Sequence, residues 1–329
     1  MAGIKDVAKK AGVSVTTVSR VINNRGYISK ETRTKVDQAM IELDYFPNQI
    51  ARALQQNQSY VIGVLVPDSS HPFFAELVKI IETSAHQANY KILLCNSGGD
   101  ANKEAKYISL LRENRVDGIV MCSHSLEIEE YQKVNLPIVS FDRIISNNIP
   151  YIGSDNFRGG EMATQHLIDK GCQQLLHISG TLDEGFLTNR RTDAFKLTCM
   201  KHEIPFHIVE GERNQMSFDY YMDFIEKEIS QHLSSVDGVF CSSDLAAYAL
   251  YTYAVNSDIK VPDDLKIIGY DYHAFTRILQ DPKITTIAQP IQRMAKVICA
   301  TIIRMIEDED MEFINNTTMD VHLMEGTTT

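Results

Sequence analysis

Apolar and polar positions follow three different rhythms along this chain. In GVSVTTVSRVINNRG, from Gly12 to Gly26, placement at about 100° per residue puts Ser14, Val18 and Val21 on one side with Ile22 near them. Val15, Thr16, Ser19, Arg20 and Asn23 fall on the other side. Ile4 to Lys10 reads as a preceding short helix with Val7 and Ala8 inward, and Ala11-Gly12-Val13 as a tight turn whose glycine tolerates φ > 0. Ser14 supplies a capping hydroxyl for the second helix, and a third helix runs from a cap at Ser29 through Val36, Met40 and Leu43. Val7, Ala11, Val18, Val21, Val36 and Leu43 make a minimal core, so residues 1–46 are expected to form a three-helix unit of helix-turn-helix type.

The second rhythm is brief. In YFPNQIARALQQNQS, Pro47 is a break, Asn48 a cap, and Ile50, Ala51 and Leu54 share one side of a helix-prone run within residues 47–59. A helix of about two turns is marginal alone in water, so this segment should fold only when paired or docked. From Tyr60 onward a third rhythm takes over, in which the continuous apolar runs VIGVLV, KILLC, DGIVMC, PIVSF, QLLHIS, DGVFCS and LKIIGY alternate with amphipathic stretches. Unbroken runs of this length fit parallel strands covered on both faces, so residues 60–329 are expected to be an α/β body. A weak repeat, VDGIVMCS at Val116 and VDGVFCSS at Val236, predicts two similar sheets, one per lobe.

Charge then separates the parts. The chain of 329 residues has a formal net charge of -11. Residues 1–60 hold nine Lys/Arg and five acids, a net of +4, which leaves -15 on the remainder. A small basic head on a large acidic body suits a head that approaches a polyanion and a body that does not cling to it. No apolar run approaches the ~18 residues of a membrane span, and the charged first twenty residues carry no secretory signal, so a cytoplasmic protein with no membrane partner is expected. The six cysteines lie far apart without a C-x-x-C pair and read as reduced core residues.

With that charge, the outward face of the second helix reads as a major-groove reader of double-stranded DNA. Arg20 can donate bidentately to guanine, Thr16 can bond bases or phosphates, and Val15 can meet a thymine methyl. Thr17, Ser19 and Asn23 position the backbone, and Ser14 at the helix start is counted with them as a DNA-binding residue. An exposed Leu54, with Asn48 and Ala51 on its segment, is like the apolar wedges that open a base step from the minor groove. One such helix reads only a half-site, so a homodimer on a near-palindromic operator is expected.

IKDVAKKAGVSVTTVSRVIN followed by ETRTKVDQAMIELDYFPNQIARAL strongly resembles the lactose-repressor family of bacterial transcription regulators, and the resemblance covers essentially the whole chain. It implies that Val15, Thr16 and Arg20 occupy base-reading positions and that Leu54 is the leucine inserted by paired hinge helices. It also implies a two-lobed body similar to type I periplasmic sugar-binding proteins, with crossings near Gly160, Pro290 and Asn316. Lobe one then spans about 60–160 and 291–316, and lobe two about 161–290 and 317–329.

Ligands of open α/β sheets sit beyond the carboxyl ends of the strands. The residues there are Phe73 and Phe74 after VIGVLVPDSSHP, Asp142 and Arg143 after PIVSF, Asp244 after FCSS, Asp271 after IIGY and Gln289 after TTIA. Arg190 and Arg191 open the helix leading to Phe195. Carboxylates and guanidinium groups that bond vicinal hydroxyls, with aromatic rings over an apolar ring face, are what a small sugar demands. The resemblance to ribose-type receptors covers Phe73, Phe74, Asp142, Arg143, Arg191, Asp244, Asp271 and Gln289. Ser243 departs from it where asparagine is common, and Arg213 lies where some relatives carry an aromatic ring. CNSGGDANKEAKYISLLRENRVDGI and SFDRIISNNIPYIGSDNFRGG resemble sucrose-operon repressors, which implies sucrose or fructose, besides ribose, or a phosphate derivative, as effector.

No phosphate-loop, dinucleotide, zinc-protease or serine-hydrolase motif occurs, and His71 before Pro72 reads as a loop residue. No catalytic residue, metal or cofactor is therefore expected, and the expected function is sugar-controlled repression. The alternative is a catabolite-type regulator whose body docks a phosphorylated carrier protein through a basic exposed face.

Overall fold

The computed structural model describes residues 2–23, 25–45, 58–123, 125–126, 130–131, 133–182, 186–213, 215–279, 281–308 and 316–329. The chain divides into two compact units, Met1–Ser59 and Tyr60–Thr329.

In the first unit, α1 (Ile4–Ala11), α2 (Val15–Ile22) and α3 (Lys30–Glu42) follow one another. Gly12 closes α1 at φ 65, a left-handed conformation that favours glycine, and its N–H reaches Ala8 O. Ser14 Oγ accepts from Thr17 N at 3.1 Å and Ser29 Oγ from Thr32 N at 3.2 Å, so both predicted caps form. Val7, Ala8, Val18, Val21, Val36 and Ala39 are the buried core, with Ala11, Met40 and Leu43 half-buried around it. Two inward assignments change. Ala39 takes the inner position between Val36 and Leu43, and Ser14 is exposed because its backbone is still extended there (φ -72, ψ 154), one residue before the helix begins. The hinge helix expected within 47–59, with Asn48, Ala51 and Leu54, falls on residues of which 46–57 lie outside the described set.

The second unit has two lobes. The first contains β1 (Val61–Val66), α4 (Pro72–Gln87), β2 (Lys91–Asn96), α5 (Ala101–Glu113), β3 (Gly118–Met121), β4 (Ile138–Phe141) and β5 (Tyr151–Ser154). The second contains α6 (Asn156–Asp169), β6 (Leu175–Ser179), α7 (Asn189–Lys201), β7 (Phe206–Glu210), α8 (Phe218–Phe224), β8 (Gly238–Cys241), α9 (Asp244–Asn256), β9 (Lys266–Asp271), α10 (Ala274–Ile278) and β10 (Thr285–Ala288). The chain then returns as α11 (Ile291–Glu307) and ends in β11 (Thr317–Met319) and β12 (His322–Met324). The sheets run β11-β5-β4-β3-β1-β2 and β12-β10-β9-β8-β6-β7. The repeated VDG segments form β3 and β8, which hold equivalent places in the two sheets. All pairings are parallel except β10 with β12.

Each sheet is covered on both faces, as the unbroken apolar runs require. Leu77 and Ile81 of α4 pack with Met294 and Ile298 of α11 on one face of the first sheet, and Ile108 and Leu111 of α5 cover the other. In the second sheet Ala246 and Leu250 of α9 lie on one face and Leu167 and Phe195, from α6 and α7, on the other. The six cysteines are free and buried.

Two expected crossings are corrected. The first lies between Ser154 of β5 and Asn156 of α6, ahead of Gly160, because α6 already packs on α7 and the second sheet. Gly160 serves close approach there: an added Cβ would stand 2.4 Å from Arg191 O and 2.8 Å from Arg191 Cα. The last crossing lies between Met319 and His322 instead of near Asn316, because Thr317–Met319 first pairs in parallel with β5. The middle crossing is at Gln289 and Pro290, between β10 and α11.

Candidate functional site

On the first unit, burying Val18 and Val21 leaves the opposite side of α2 outward. Val15 is 41% exposed, and Thr16 and Arg20 are exposed. Thr16, Ser19, Arg20 and Asn23 line a shallow groove together with Arg25 and Gly26. Ser19 and Asn23 are tied together, Asn23 Nδ2 donating to Ser19 Oγ at 3.3 Å. Ser14 and Thr17 are engaged with each other, their hydroxyls 2.9 Å apart, which fixes the start of the helix. Arg25, beside the groove, and Tyr27, 96% exposed, were missed by the sequence reading. Their signal was their place just beyond α2.

On the second unit, a cavity of about 230 Å³ opens between the lobes at the carboxyl ends of the strands. Phe73, Phe74 and Asp142 reach it from the first lobe, and Arg191, Asp271 and Gln289 line it with them. Pro72 begins α4, its missing N–H harmless at a first helical position, and this places Phe73 and Phe74 at the mouth of the helix. Their rings meet edge to face at 5.5 Å, and Phe73 packs on Phe141 at 5.5 Å.

Both strand-end aspartates have positive φ, 53 at Asp142 and 105 at Asp271, a backbone strain that proteins keep mainly where a side chain must be aimed. Burial pushes the Asp142 carboxyl up to about 6, although Arg191 and a 3.3 Å hydrogen bond from Asn156 Nδ2 oppose it. Burial pushes Asp271 in the same direction. There it is outweighed by His273, whose Nε2 stands 3.0 Å from Oδ2, by the charge of Arg191, and by Gln289 Nε2, 2.6 Å from Oδ1. The result is an Asp271 carboxyl held below its ordinary value. His273 is held above its own by Asp271 despite burial.

Arg191 is held in turn. Its Nε donates to Asn156 Oδ1 at 2.7 Å, Nη1 donates to Ser242 O at 2.8 Å, and the guanidinium lies 3.6 Å from the centre of the Tyr270 ring.

Two predicted residues do not line the cavity. Arg143 turns away, its Nη1 donating to Leu126 O at 3.3 Å while its guanidinium packs on Phe186 at 5.0 Å and Tyr131 at 5.8 Å. Asp244, fully buried, holds the loop after β9 from behind, accepting from His273 N at 2.8 Å. Arg190 packs on Phe157 and is not in the wall, whereas Ser243 and Glu212 are.

His71 is a correction: it is a buried residue of the wall, and burial, with the nearby His273, lowers it to about 4. Its Nδ1 has no hydrogen-bond partner among the described residues. His177 also lines the cavity, between Phe240 O at 2.9 Å and Thr192 Oγ1 at 3.0 Å, and burial lowers it to about 4. A histidine interrupting the apolar run QLLHIS was the signal for it. Nothing in sequence spacing marks Asn156 or His273.

Residues 3–48 match the model of bacterial regulatory proteins of the lacI family, and residues 59–325 that of periplasmic binding proteins and the sugar binding domain of the LacI family. The chain is 41% identical to the sucrose operon repressor of Pediococcus pentosaceus, over 99% of this chain and 98% of that one. The crystal structure of a periplasmic binding protein/LacI transcriptional regulator from Alkaliphilus metalliredigens, complexed with D-xylulofuranose, is similar at TM-score 0.73 and 31% identity, covering 82% of this chain and 99% of that one. The lac repressor dimer bound to operator and the anti-inducer ONPF is similar at TM-score 0.83 and 25% identity, covering 99% and 98%. Three helices with an outward α2 face on a basic head, a two-lobed body with a cavity between its lobes and these matches along nearly the whole length place the chain in the LacI family of bacterial regulatory proteins.

Proposed function

We propose that this protein is a DNA-binding repressor of a sugar-utilisation operon, acting as a homodimer in the cytoplasm and controlled by a small sugar held between the lobes of its body. The observation that carries the reading is the pairing, in one chain, of an outward Val15–Thr16–Arg20 face with a cavity that sets Asp142, Asp271 and Arg191 against Phe73 and Phe74. In the cavity the carboxylates accept from vicinal hydroxyls and the phenyl rings cover the apolar face of the sugar. On the head, Arg20 and Thr16 meet base edges and Val15 a thymine methyl. Each protomer reads one half-site, so two copies read a near-palindromic operator.

Sugar binding is coupled to the head by a change in how the lobes sit on each other, which alters the spacing of the two hinge segments in the dimer. To move the operator from mostly bound to mostly free, the sugar must distinguish the two states by about 5 kcal/mol. No helix among the described residues is long and apolar enough to cross a membrane. The chemistry required is binding alone, so no catalytic step is assigned.

The carrier-docking alternative needs a basic exposed face. The groove between α4 and α11 is lined by exposed Lys296 and Arg304 and by exposed Glu307 and Asp308, so its formal charges cancel. This leaves the sugar-receptor reading ahead.

The test is retention of full-length protein on cognate and scrambled duplexes with and without sugar. Selective retention that a sugar changes supports the reading. Equal retention on both duplexes whatever sugar is supplied overturns it.

A further inference from the structure

We infer that Glu104, a residue of α5 outside the cavity, is a positioning residue for sugar binding that acts across the lobe boundary: through Tyr131 and Arg143 of the first lobe it sets Phe186, a wall residue supplied by the second. This rests on the sugar-receptor reading above and names groups that act on its site without lining it.

Glu104 is fully buried, and both of its carboxylate oxygens are in use. Oε1 accepts from the Tyr131 hydroxyl, and Oε2 accepts from Ser123 Oγ at 2.5 Å and from Ser125 N at 3.1 Å. Because the Ser123 proton is spent on the carboxylate, the Ser97 hydroxyl 2.6 Å away donates to Ser123. A carboxylate is tolerated in an interior only when donors surround it. Here they come from the segment just after β3 and from Tyr131, so one side chain fixes that part of the first lobe. Tyr131 is itself fully buried, and burial together with the Glu104 carboxylate pushes its hydroxyl far above the ordinary phenol range. The proton therefore stays on the phenol and the bond keeps one direction. The same hydroxyl accepts from Leu126 N at 3.0 Å.

Arg143 receives this order by two routes. Its Nη1 donates to Leu126 O at 3.3 Å, and its guanidinium lies 5.8 Å from the centre of the Tyr131 ring. The guanidinium also lies 5.0 Å from the centre of the Phe186 ring, a distance at which a cation attracts an aromatic face. The backbone repeats the contact, since Arg143 and Phe186 form an antiparallel bridge and Leu187 N donates to Asp142 O at 3.1 Å. Phe186 lines the cavity, and its segment runs on through Thr188 and Asn189, also in the wall, into α7 and Arg191. Glu104, Tyr131 and Arg143 do not line the cavity.

The test is a double-mutant cycle on the full-length protein. It joins Tyr131→Phe, and separately Glu104→Gln, with Phe186→Leu, which keeps an apolar wall and removes the ring that Arg143 meets. Calorimetry reads the affinity for whichever of D-fructose, D-ribose and sucrose binds the unsubstituted protein most tightly, and the melting temperature is read beside it. Tyr131→Phe and Glu104→Gln are each expected to weaken binding about three- to tenfold while Phe186 is present, and by less than about twofold once it is leucine. Their drop in melting temperature should be the same in both backgrounds, because the Glu104–Tyr131 bond is lost in each. A residue that only supports the first lobe would give equal affinity losses in both backgrounds or no loss in either. Each of these results overturns the inference and leaves the sugar-receptor reading standing. No binding of any of the three sugars, by protein that melts cooperatively, overturns both.

Discussion

Arg277 Nη2 stands 2.8 and 2.9 Å from the two carboxylate oxygens of Glu76, joining α10 of the second lobe to α4 of the first. Beside this pair the rings of His71 and His273 meet edge to face at 5.3 Å, again one from each lobe. The side chains of the ion pair are 36% and 16% exposed, so solvent screens it and its contribution is about 0.5–1 kcal/mol. Glu76→Gln is expected to weaken sugar binding about two- to fivefold by loosening this contact between the lobes. The loss should shrink at high salt, and the exchange of Glu76→Arg with Arg277→Glu should recover most of it. Titration calorimetry of the four proteins decides this, and an unaltered affinity in both single variants removes the pair from sugar binding.

The buried titrating groups oppose each other in acid. His71 and His177, lowered to about 4, stay neutral in the fold while their unfolded counterparts take up protons below about 6.5, so their contribution to stability falls as pH falls through that range. Asp142 and Asp244, raised to about 6, take up protons in the fold before the unfolded chain does, so their contribution rises as pH falls from about 6 toward 4. These opposite shifts partly offset each other across that window, with His166, also lowered by burial, adding to the side that loses stability in acid. Asp142→Asn removes one compensating proton, and stability should then fall by up to about 1.4 kcal/mol for each pH unit of acidification between about 6 and 4. Denaturant titrations at several pH values measure the slope, and parallel curves for the two proteins would contradict the assignment.

Gly160 lets α6 lie against the start of α7, which carries Arg191. An alanine Cβ would meet the backbone of Arg191, which has no flexible end to move aside. Gly160→Ala should therefore cost about 1–3 kcal/mol and shift Arg191 relative to Asp271. The expected result is a lower melting temperature together with weaker sugar binding. A variant with the same melting temperature and affinity would show that the helices part without consequence.

Two substitutions on the head separate reading from folding. Arg20→Ala removes an exposed guanidinium without touching the core and should relax base preference at one operator position, at about 1–3 kcal/mol. Ser14→Ala removes the hydroxyl that accepts from Thr17 N and should lower the stability of the head by about 1 kcal/mol. Sequence selection measures the first and hydrogen exchange the second. If Arg20→Ala kept full base preference, the arginine would be a backbone contact only.

Much of the candidate cavity was legible because a strand end is a local signal. Asp142, Asp271 and Gln289 each follow an apolar run directly, and Phe73 and Phe74 follow a proline that opens a helix, so their approach to a common space follows from parallel topology. Arg143 and Asp244 have the same sequence credentials and lie outside the wall. The first is drawn between Tyr131 and Phe186, and the second is buried behind the loop it holds. Side-chain direction at a strand end depends on contacts from other segments, which no local pattern encodes.

The sequence by itself determined the elements with a strong period or a specific cap. These are the three helices of the head, the turn at Gly12, the central strands of both sheets and the separation of a basic head from an acidic body. Periodicity and capping are set within a few residues, so a linear reading reaches them. Tertiary structure alone decided the places where the chain changes lobes, the edge strands β11 and β12, and the wall positions of His71 and His177. It alone decided the clasp of Glu76 with Arg277, two residues 201 positions apart. Each of these depends on groups far apart in sequence meeting across a packed boundary, where burial and charge pairing act only after the chain has folded.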